Sequence, residues 1–378
     1  MRSIDTKSTI EAVDLFCGAG GLSFGLQDEG IRVKAGIDFE PACRYPYEAN
    51  IAGKFIEKSV EDVTGDDISP YFALKDGYSL LAGCAPCQTF SQYNAKAAPD
   101  DARWTLLDHF RRLIEETIPD FVTMENVPGL EEHSVFEKFL HTLSDLEYWV
   151  DFQQIDCTDY GLAQTRSRLV LVASKHAPIH ILSPEEFGET RKTVRQVIGS
   201  LPLLAAGETH ATDPLHSSSA LSAKNMARMK ASRPNGTWRD WPQHLQADCH
   251  RKDSGRSYPS VYGRMSWDAP SPTITTQFYG FGNGRFGHPE QDRALSLREG
   301  ALLQGFPKSY RFAAPGCPVP RRIVGRMIGN AVPVTLGRMI AKTFLFHIQT
   351  LNHCHETTIK TEAQSNFPNA GKAATHAR

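Results

Sequence analysis

Through the first 175 residues, short apolar runs alternate with stretches of helical period. The runs Ala12–Phe16, Val33–Asp38, Tyr78–Cys84, Phe121–Glu125, Trp149–Ile155 and Leu169–Ala173 predict strands. Most are continuously apolar. A strand covered on one face alternates apolar and polar residues, so continuous runs point to strands with both faces covered. Between them, Leu22–Glu29, Pro41–Asn50, Thr105–Thr117 and Val135–Leu143 predict helices. The alternation predicts an α/β domain with a doubly wound, mostly parallel sheet. Ligands of such sheets bind outside the carboxyl ends of the strands, and chemistry is sought there.

From about Pro178 to Pro270 the period is lost. Turn formers, Arg, His, Trp and Tyr take over, as in Arg233-Pro-Asn-Gly-Thr-Trp-Arg-Asp-Trp-Pro242. This predicts a second, smaller, loop-rich domain. Arg321 to Gln349 is helical again, with Pro333 marking a helix start, and is expected to return to the first domain. The expected division is 1–182 for the α/β domain, 183–319 for the small domain, 320–350 for the returning helices and 351–378 for a disordered polar tail. No internal repeat is visible. No apolar run approaches 18 residues, so no membrane span is expected, and the first residues lack the apolar region of a secretory signal.

Charge sharpens this division. The net charge is −2, but residues 1–150 hold 13 Lys+Arg against 26 Asp+Glu, a balance of −13. Residues 151–378 hold the remaining 28 against 17, a balance of +11, with 11 of the 14 histidines. A basic half suggests a polyanionic partner, although halves of a sequence need not be faces of a molecule. The eight cysteines, at 17, 43, 84, 87, 157, 249, 317 and 354, are scattered. They form no disulfide framework, and a reducing cytoplasm is the expected home.

Candidate chemistry lies at the strand ends. Asp14-Leu-Phe-Cys-Gly-Ala-Gly-Gly-Leu22 joins the first strand to a helix, where glycines allow close backbone approach to a ligand and the helix start offers donors. By itself it also fits a tight turn, and it departs from the dinucleotide fingerprint. Asp38 ends the second strand, where its carboxylate can take ribose hydroxyls or simply be solvated. Phe39 follows and can stack on a base. Gly83-Cys-Ala-Pro-Cys-Gln-Thr-Phe-Ser91 places Cys87 after a central strand as a candidate nucleophile. Cys84 and Cys87 also form a Cys-x-x-Cys pair, but no second ligand pair for zinc stands out and the context is not thioredoxin-like. Glu125-Asn-Val127 ends another strand, where a buried carboxyl can donate to a ring nitrogen or cap a turn. In Gln164-Thr-Arg-Ser-Arg168 the alternate arginines point the same way on an extended segment and can reach one ligand, or line a solvated edge.

Together these segments resemble the cytosine-5 DNA methyltransferases of bacterial restriction–modification type. Six segments occur in that family's order: Asp14–Leu22, Gly83–Ser91, Glu125-Asn-Val127, Gln164–Arg168, Pro272-Thr-Ile-Thr275 and Gly329-Asn-Ala-Val-Pro333. Leu297-Arg-Glu-Gly-Ala-Leu-Leu-Gln-Gly-Phe-Pro307 also resembles the family's segment between the last two. The resemblance implies the S-adenosylmethionine-dependent methyltransferase fold with a target-recognition domain over about Ser183–Asp268. It implies Cys87, Glu125, Arg168 and Arg166 as catalytic residues. Phe16, Gly18, Gly20, Gly21, Leu22, Asp38, Phe39, Asp62, Pro86, Asn330 and Val332 are implied to hold S-adenosyl-L-methionine, with no metal. It further implies methyl transfer to C5 of a cytosine flipped out of double-stranded DNA, by a cytoplasmic, nucleoid-associated monomer. A cognate restriction endonuclease would act separately. Arg233, Arg239, Arg251, Lys252 and Arg256 are candidates for phosphates or guanine edges, or are solvated, and Trp238 and Trp241 are either core or DNA contacts. The sequence departs from the family pattern at Cys84, Ala85, Ala163 and Asp38. An RNA cytosine methyltransferase and a catalytically decayed DNA-binding scaffold are the alternatives.

Overall fold

A computed structural model describes residues 9–73, 77–86, 105–252 and 261–365, with the backbone alone at 105 and 354–365. Its centre is a seven-stranded sheet of order β3-β2-β1-β4-β5-β7-β6. The strands are β1 (Ile10–Leu15), β2 (Arg32–Asp38), β3 (Lys54–Glu57), β4 (Tyr78–Gly83), β5 (Phe121–Asn126), β6 (Trp149–Asp156) and β7 (Ser167–Ser174). Strands β3 to β5 along this order pair in parallel, and β7 runs antiparallel between β5 and β6. The doubly wound, mostly parallel sheet expected from the apolar runs is present. The four-residue edge strand β3 escapes the pattern because it has too few apolar positions to show a period.

Side-chain alternation divides the core into two layers. One face carries Ala12, Leu80, Ala82, Val170 and Val172 against Leu22, Leu26, Met339 and Phe344. The other carries Val13, Leu15, Leu81, Val122 and Leu171 against Phe110 and Ile114 of the Thr105–Thr117 helix and Phe136 and Phe139 of the Ser134–Asp145 helix. β1 and β5 are buried along their whole length, the polar Glu11, Asp14, Thr123, Glu125 and Asn126 included.

The chain returns to the sheet after Arg321. Two helices, Arg321–Asn330 and Val334–Ser365, occupy this stretch, and Pro333 stands just before the second, where a helix start was expected. The second continues to Ser365, so the backbone is helical where a disordered tail was expected from 351. It packs on the Gly21–Asp28 helix at glycines. A Cβ on Gly25 would stand 2.5 Å from the Val334 carbonyl oxygen, and one on Gly337 2.8 Å from that of Leu22. Only hydrogen at these positions lets the backbones approach so closely.

The core clusters divide the chain differently from the expected boundary of 183–319. Ile274, Phe278, Leu295, Ala301, Leu303, Phe306 and Tyr310 lie in the sheet core. A separate small cluster holds Met229, Trp238, Trp241, Phe281 and Ala294. The loop-rich composition blurs this boundary, because apolar residues of the 274–310 stretch are spaced irregularly and find the sheet core only in three dimensions. Among the described residues, no helix is long and apolar enough to cross a membrane.

Candidate active site

The strand order reverses direction at β1, with β2 on one side and β4 on the other, which opens a crevice at the carboxyl ends of the strands. Four segments meet there: the turn after β1, Asp38 at the end of β2, the 84–86 turn after β4, and Glu125-Asn126 at the end of β5.

The turn after β1 is held from several sides. Phe16, Gly18 and Gly20 all have positive φ, of 58°, 52° and 88°. The Gly18 N–H donates to Asp38 Oδ2 at 2.9 Å, while Asp38 Oδ1 accepts from the Glu40 N–H at 2.9 Å. Burial pushes the Asp38 carboxyl above its ordinary value. Beneath the turn, Ser23 Oγ donates to the buried Asp14 at 2.6 Å and lies 3.0 Å from Tyr47 Oη. Tyr310 Oη donates to the Ala19 carbonyl. Burial pushes the Asp14 carboxyl up to about 7, with Asp38 adding to the shift and the Ser23 hydrogen bond opposing it.

This surface fits an adenosyl cofactor. A Cβ on Gly18 would meet nothing within 4 Å, so the turn presents bare backbone to open space. Phe39 beside it is 69% exposed, an apolar ring without an apolar neighbour to cover it. Each Asp38 oxygen keeps a further lone pair beyond its backbone donor. Val332 is buried with its carbonyl against Gly21, and Asn330 is exposed at the end of the Arg321–Asn330 helix. An ion pair between Arg326 and Glu40 joins that helix to the loop after Asp38. Asp62 is exposed in the turn after β3.

At the end of β5, Glu125 is 3% exposed. Its Oε2 accepts from Cys84 Sγ at 2.7 Å. Arg168 Nε stands 2.8 Å from Oε1, but its N–H is not aimed along that line, so Oε1 is buried without a directed donor among the described residues. Arg166 does not share this ligand. Its guanidinium donates to the carbonyls of Ile274, Gly329 and Ala331 at 3.2 to 3.5 Å, and its Nε has no partner among the described residues. Alternation along the segment allowed both arginines to reach one ligand or to line a solvated edge. Instead, the 272–275 and 329–331 segments lie over Arg166 and capture it. Burial, with Arg168 nearby, pushes the Arg166 guanidinium down to about 9, so it stays charged at neutral pH. Cys157, close to both arginines, has its thiol pushed up to about 12 by burial. Cys87 lies outside the described residues, while Pro86 immediately before it is half-buried.

The pattern of the C-5 cytosine-specific DNA methylases matches residues 10–345. The chain belongs to this family. It is 50% identical over 343 residues to the Type II methylase M.HgiDII of Herpetosiphon aurantiacus, covering 90% of this chain and 96% of the relative. It is 32% identical to the Type II methyltransferase M1.BsuMI of Bacillus subtilis, covering 89% and 80% of the two chains. A DNA modification methyltransferase encoded within an Escherichia coli prophage has the same fold, with a TM-score of 0.68 at 22% identity over 90% of this chain and all of that one. Entamoeba histolytica methyltransferase EhMeth superposes with a TM-score of 0.59 at 14% identity, covering 90% of this chain and 98% of that one.

In the methylase, two glutamines link motifs that are distant along the chain. Gln164, fully buried, donates to Gln304 Oε1 at 2.7 Å and accepts from the Ile274 N–H at 2.9 Å, and Gln304 donates to the Ala331 carbonyl at 2.6 Å. Thus three motifs are tied together by two glutamines. Both lie in recognised segments, but nothing local indicates that they pair. In the small lobe, Trp238 and Trp241 are 5% and 3% exposed and are core. Arg233 pairs with Asp240 at 2.7 Å, Arg251 pairs with Asp248 at 3.0 Å, and Arg239 lies over the Trp238 ring. Lys252 is exposed, and Arg256 lies outside the described residues. Among the described residues, no cluster of His, Cys, Asp and Glu is arranged to hold a metal ion.

Proposed function

We propose that this cytosine-5 DNA methylase acts on a cytosine flipped out of double-stranded DNA within a specific sequence, with Cys87 as the nucleophile and S-adenosylmethionine as donor. The observation that carries the reading is Glu125. It is a buried carboxyl at a strand end, with one oxygen held and the other lacking a directed donor among the described residues, beside the turn that leads through Pro86 to Cys87. A buried oxygen without a partner is costly, and a base edge offering N–H groups would satisfy it.

Cys87 adds through sulfur to C6 of the ring, which makes C5 nucleophilic. Glu125 holds the N3 and amino edge and donates a proton toward N3, which draws charge from the ring as the C–S bond forms. When bound, S-adenosylmethionine supplies a methyl group on a sulfonium. Asp38, Phe39, the Gly18 backbone and the Asn330–Val332 segment would hold it. After C5 gains the methyl, loss of the C5 proton expels Cys87 and restores the ring. Arg168 orients Glu125, whereas Arg166 ties the later motifs to the sheet.

The lobe around Trp238 and Trp241 would read the target, with basic side chains on phosphates and base edges. On this reading recognition belongs to that lobe and the chemistry to the sheet. Relatives named as Type II methylases support a role in restriction–modification or phage defence, with any endonuclease a separate protein. We expect a cytoplasmic monomer.

The test is incubation of wild type and Cys87→Ser with unmethylated plasmid and radiolabelled S-adenosylmethionine, followed by bisulfite mapping. Label at C5 within one short motif, absent from the variant, is expected. Labelled RNA with unlabelled DNA, or full activity of Cys87→Ser, would overturn the reading.

A further inference from the structure

The carboxyl group of Glu125 has to present a particular oxygen to the base, yet Arg168 alone does not determine which. A carboxyl at a strand end turns readily about its last torsion, which is broad and roughly two-fold. The Arg168 contact is not aimed along an N–H direction. Among the described residues, the directed donor to this carboxyl is Cys84, at 2.7 Å from Oε2.

Cys84 is itself held in place. Its backbone N–H donates to the Leu15 carbonyl of β1 at 3.4 Å. The next residue, Ala85, accepts at its carbonyl from Asn126 Nδ2 at 3.0 Å. Asn126 is the neighbour of Glu125, and its own Oδ1 accepts from the Val127 N–H at 2.8 Å. The 84–85 turn and the 125–126 strand end are therefore stitched by two hydrogen bonds, one from each side. Cys84 is half-buried and reaches the carboxyl across this seam. Cys84, the first cysteine of the Cys-x-x-Cys pair, thus has a partner that a metal or redox motif would not give it.

We propose that Cys84 is a positioning residue for methyl transfer. Its thiol pins Oε2 of Glu125 and leaves Oε1 as the oxygen that meets the cytosine edge. Removing the donor leaves Oε2 buried and unpaired, and the carboxyl swings toward Arg168 in search of one. This inference rests on the assignment of Glu125 to the base.

The experiment compares Cys84→Ala, Cys84→Ser and Glu125→Gln with wild type. It measures kcat and KM for plasmid DNA, Kd for S-adenosylmethionine and Tm, at a temperature where near-ultraviolet circular dichroism shows all variants folded. For Cys84→Ala, kcat should fall about tenfold or more, the scale of losing a hydrogen bond to a charged group. Its cofactor Kd should stay within about twofold. Cys84→Ser, which keeps an O–H donor, should recover most of kcat. Packing alone would lower Tm for both variants and give no rescue by serine. The proposal is overturned if Cys84→Ala keeps wild-type kcat, or if serine is as impaired as alanine. Glu125→Gln separates the two layers of argument. If it is inactive while Cys84→Ala is normal, only the role of Cys84 fails. If it methylates at the wild-type rate, the assignment of Glu125 itself fails.

Discussion

The crevice at the sheet end and the lobe around Trp238 and Trp241 are built in contrasting ways. In the crevice, each functional group sits at the end of a buried strand, and its partners come from neighbouring strands a fixed spacing away. Glu125 and Cys84 end adjacent strands, and Asp38 and Gly18 belong to another adjacent pair. In the lobe, turns and short helices wrap a small aromatic cluster. Arg233 and Arg251 lie on its outside, paired with Asp240 and Asp248, whereas Arg228 and Arg264 are buried within it. A sheet fixes the relative position of groups to a fraction of an ångström, as covalent chemistry requires. A loop-built lobe can change its surface without disturbing that geometry, which suits the reading of different sequences.

This contrast can be broken by unseating the lobe. Trp241→Ala removes a nearly buried ring from the small cluster and the hydrogen bond from its Nε1 to Ser232 Oγ at 2.8 Å. A loss of about 4 kcal/mol is expected in the lobe. Methylation of plasmid DNA should collapse while cofactor affinity by calorimetry stays within about twofold. A parallel loss of cofactor binding would show that the two regions are one cooperative unit.

A smaller effect is expected at the junction. Arg166→Ala removes a donor from three carbonyls of the 272–275 and 329–331 segments, of which Ala331 keeps Gln304 Nε2. The expected cost is about 3 kcal/mol, with both cofactor and DNA affinity reduced, because these segments touch both regions. Thermal unfolding with and without cofactor would measure it. Loss of DNA affinity alone would place Arg166 in the lobe's half of the molecule.

A third variant sharpens the crevice alone. Asp14 titrates at about 7 in the fold against an ordinary value of 3.8. A raised carboxyl means that the folded state binds more protons between these values, so its stability contribution is complete below about 4 and is lost as pH rises to about 7. Asp14→Asn keeps an acceptor for Ser23 and removes the titration. Its Tm should exceed that of wild type at pH 8, with the difference vanishing toward pH 4. A pH-independent difference would mean that Asp14 is ionised throughout.

Much of the site was readable along the chain because strand ends carry their chemistry locally. A continuous apolar run followed by Gly-rich, Cys-containing or Glu-Asn residues announces both the strand and what stands at its mouth. The same logic failed for Arg166 and Arg168. Alternation says that two side chains share a face, but not what lies over that face. Here segments more than 100 residues later cover one arginine and leave the other beside Glu125. It also failed for β3, too short to show a period, and for the 274–310 stretch, whose apolar residues join the sheet core at irregular spacing.

The sequence by itself determined the α/β alternation, the order of the motifs and the family, because hydrophobic period and strand-end chemistry are written in neighbouring residues. Only the tertiary structure decided which group holds which. Gln164 meets Gln304 from 140 residues away, Tyr310 clamps the turn at Ala19, and Cys84 reaches Glu125 across a strand seam. Such pairings depend on how layers stack and where backbones can approach, as at Gly25 and Gly337. No local pattern carries that information, because each partner is equally at home against water until the fold brings the other beside it.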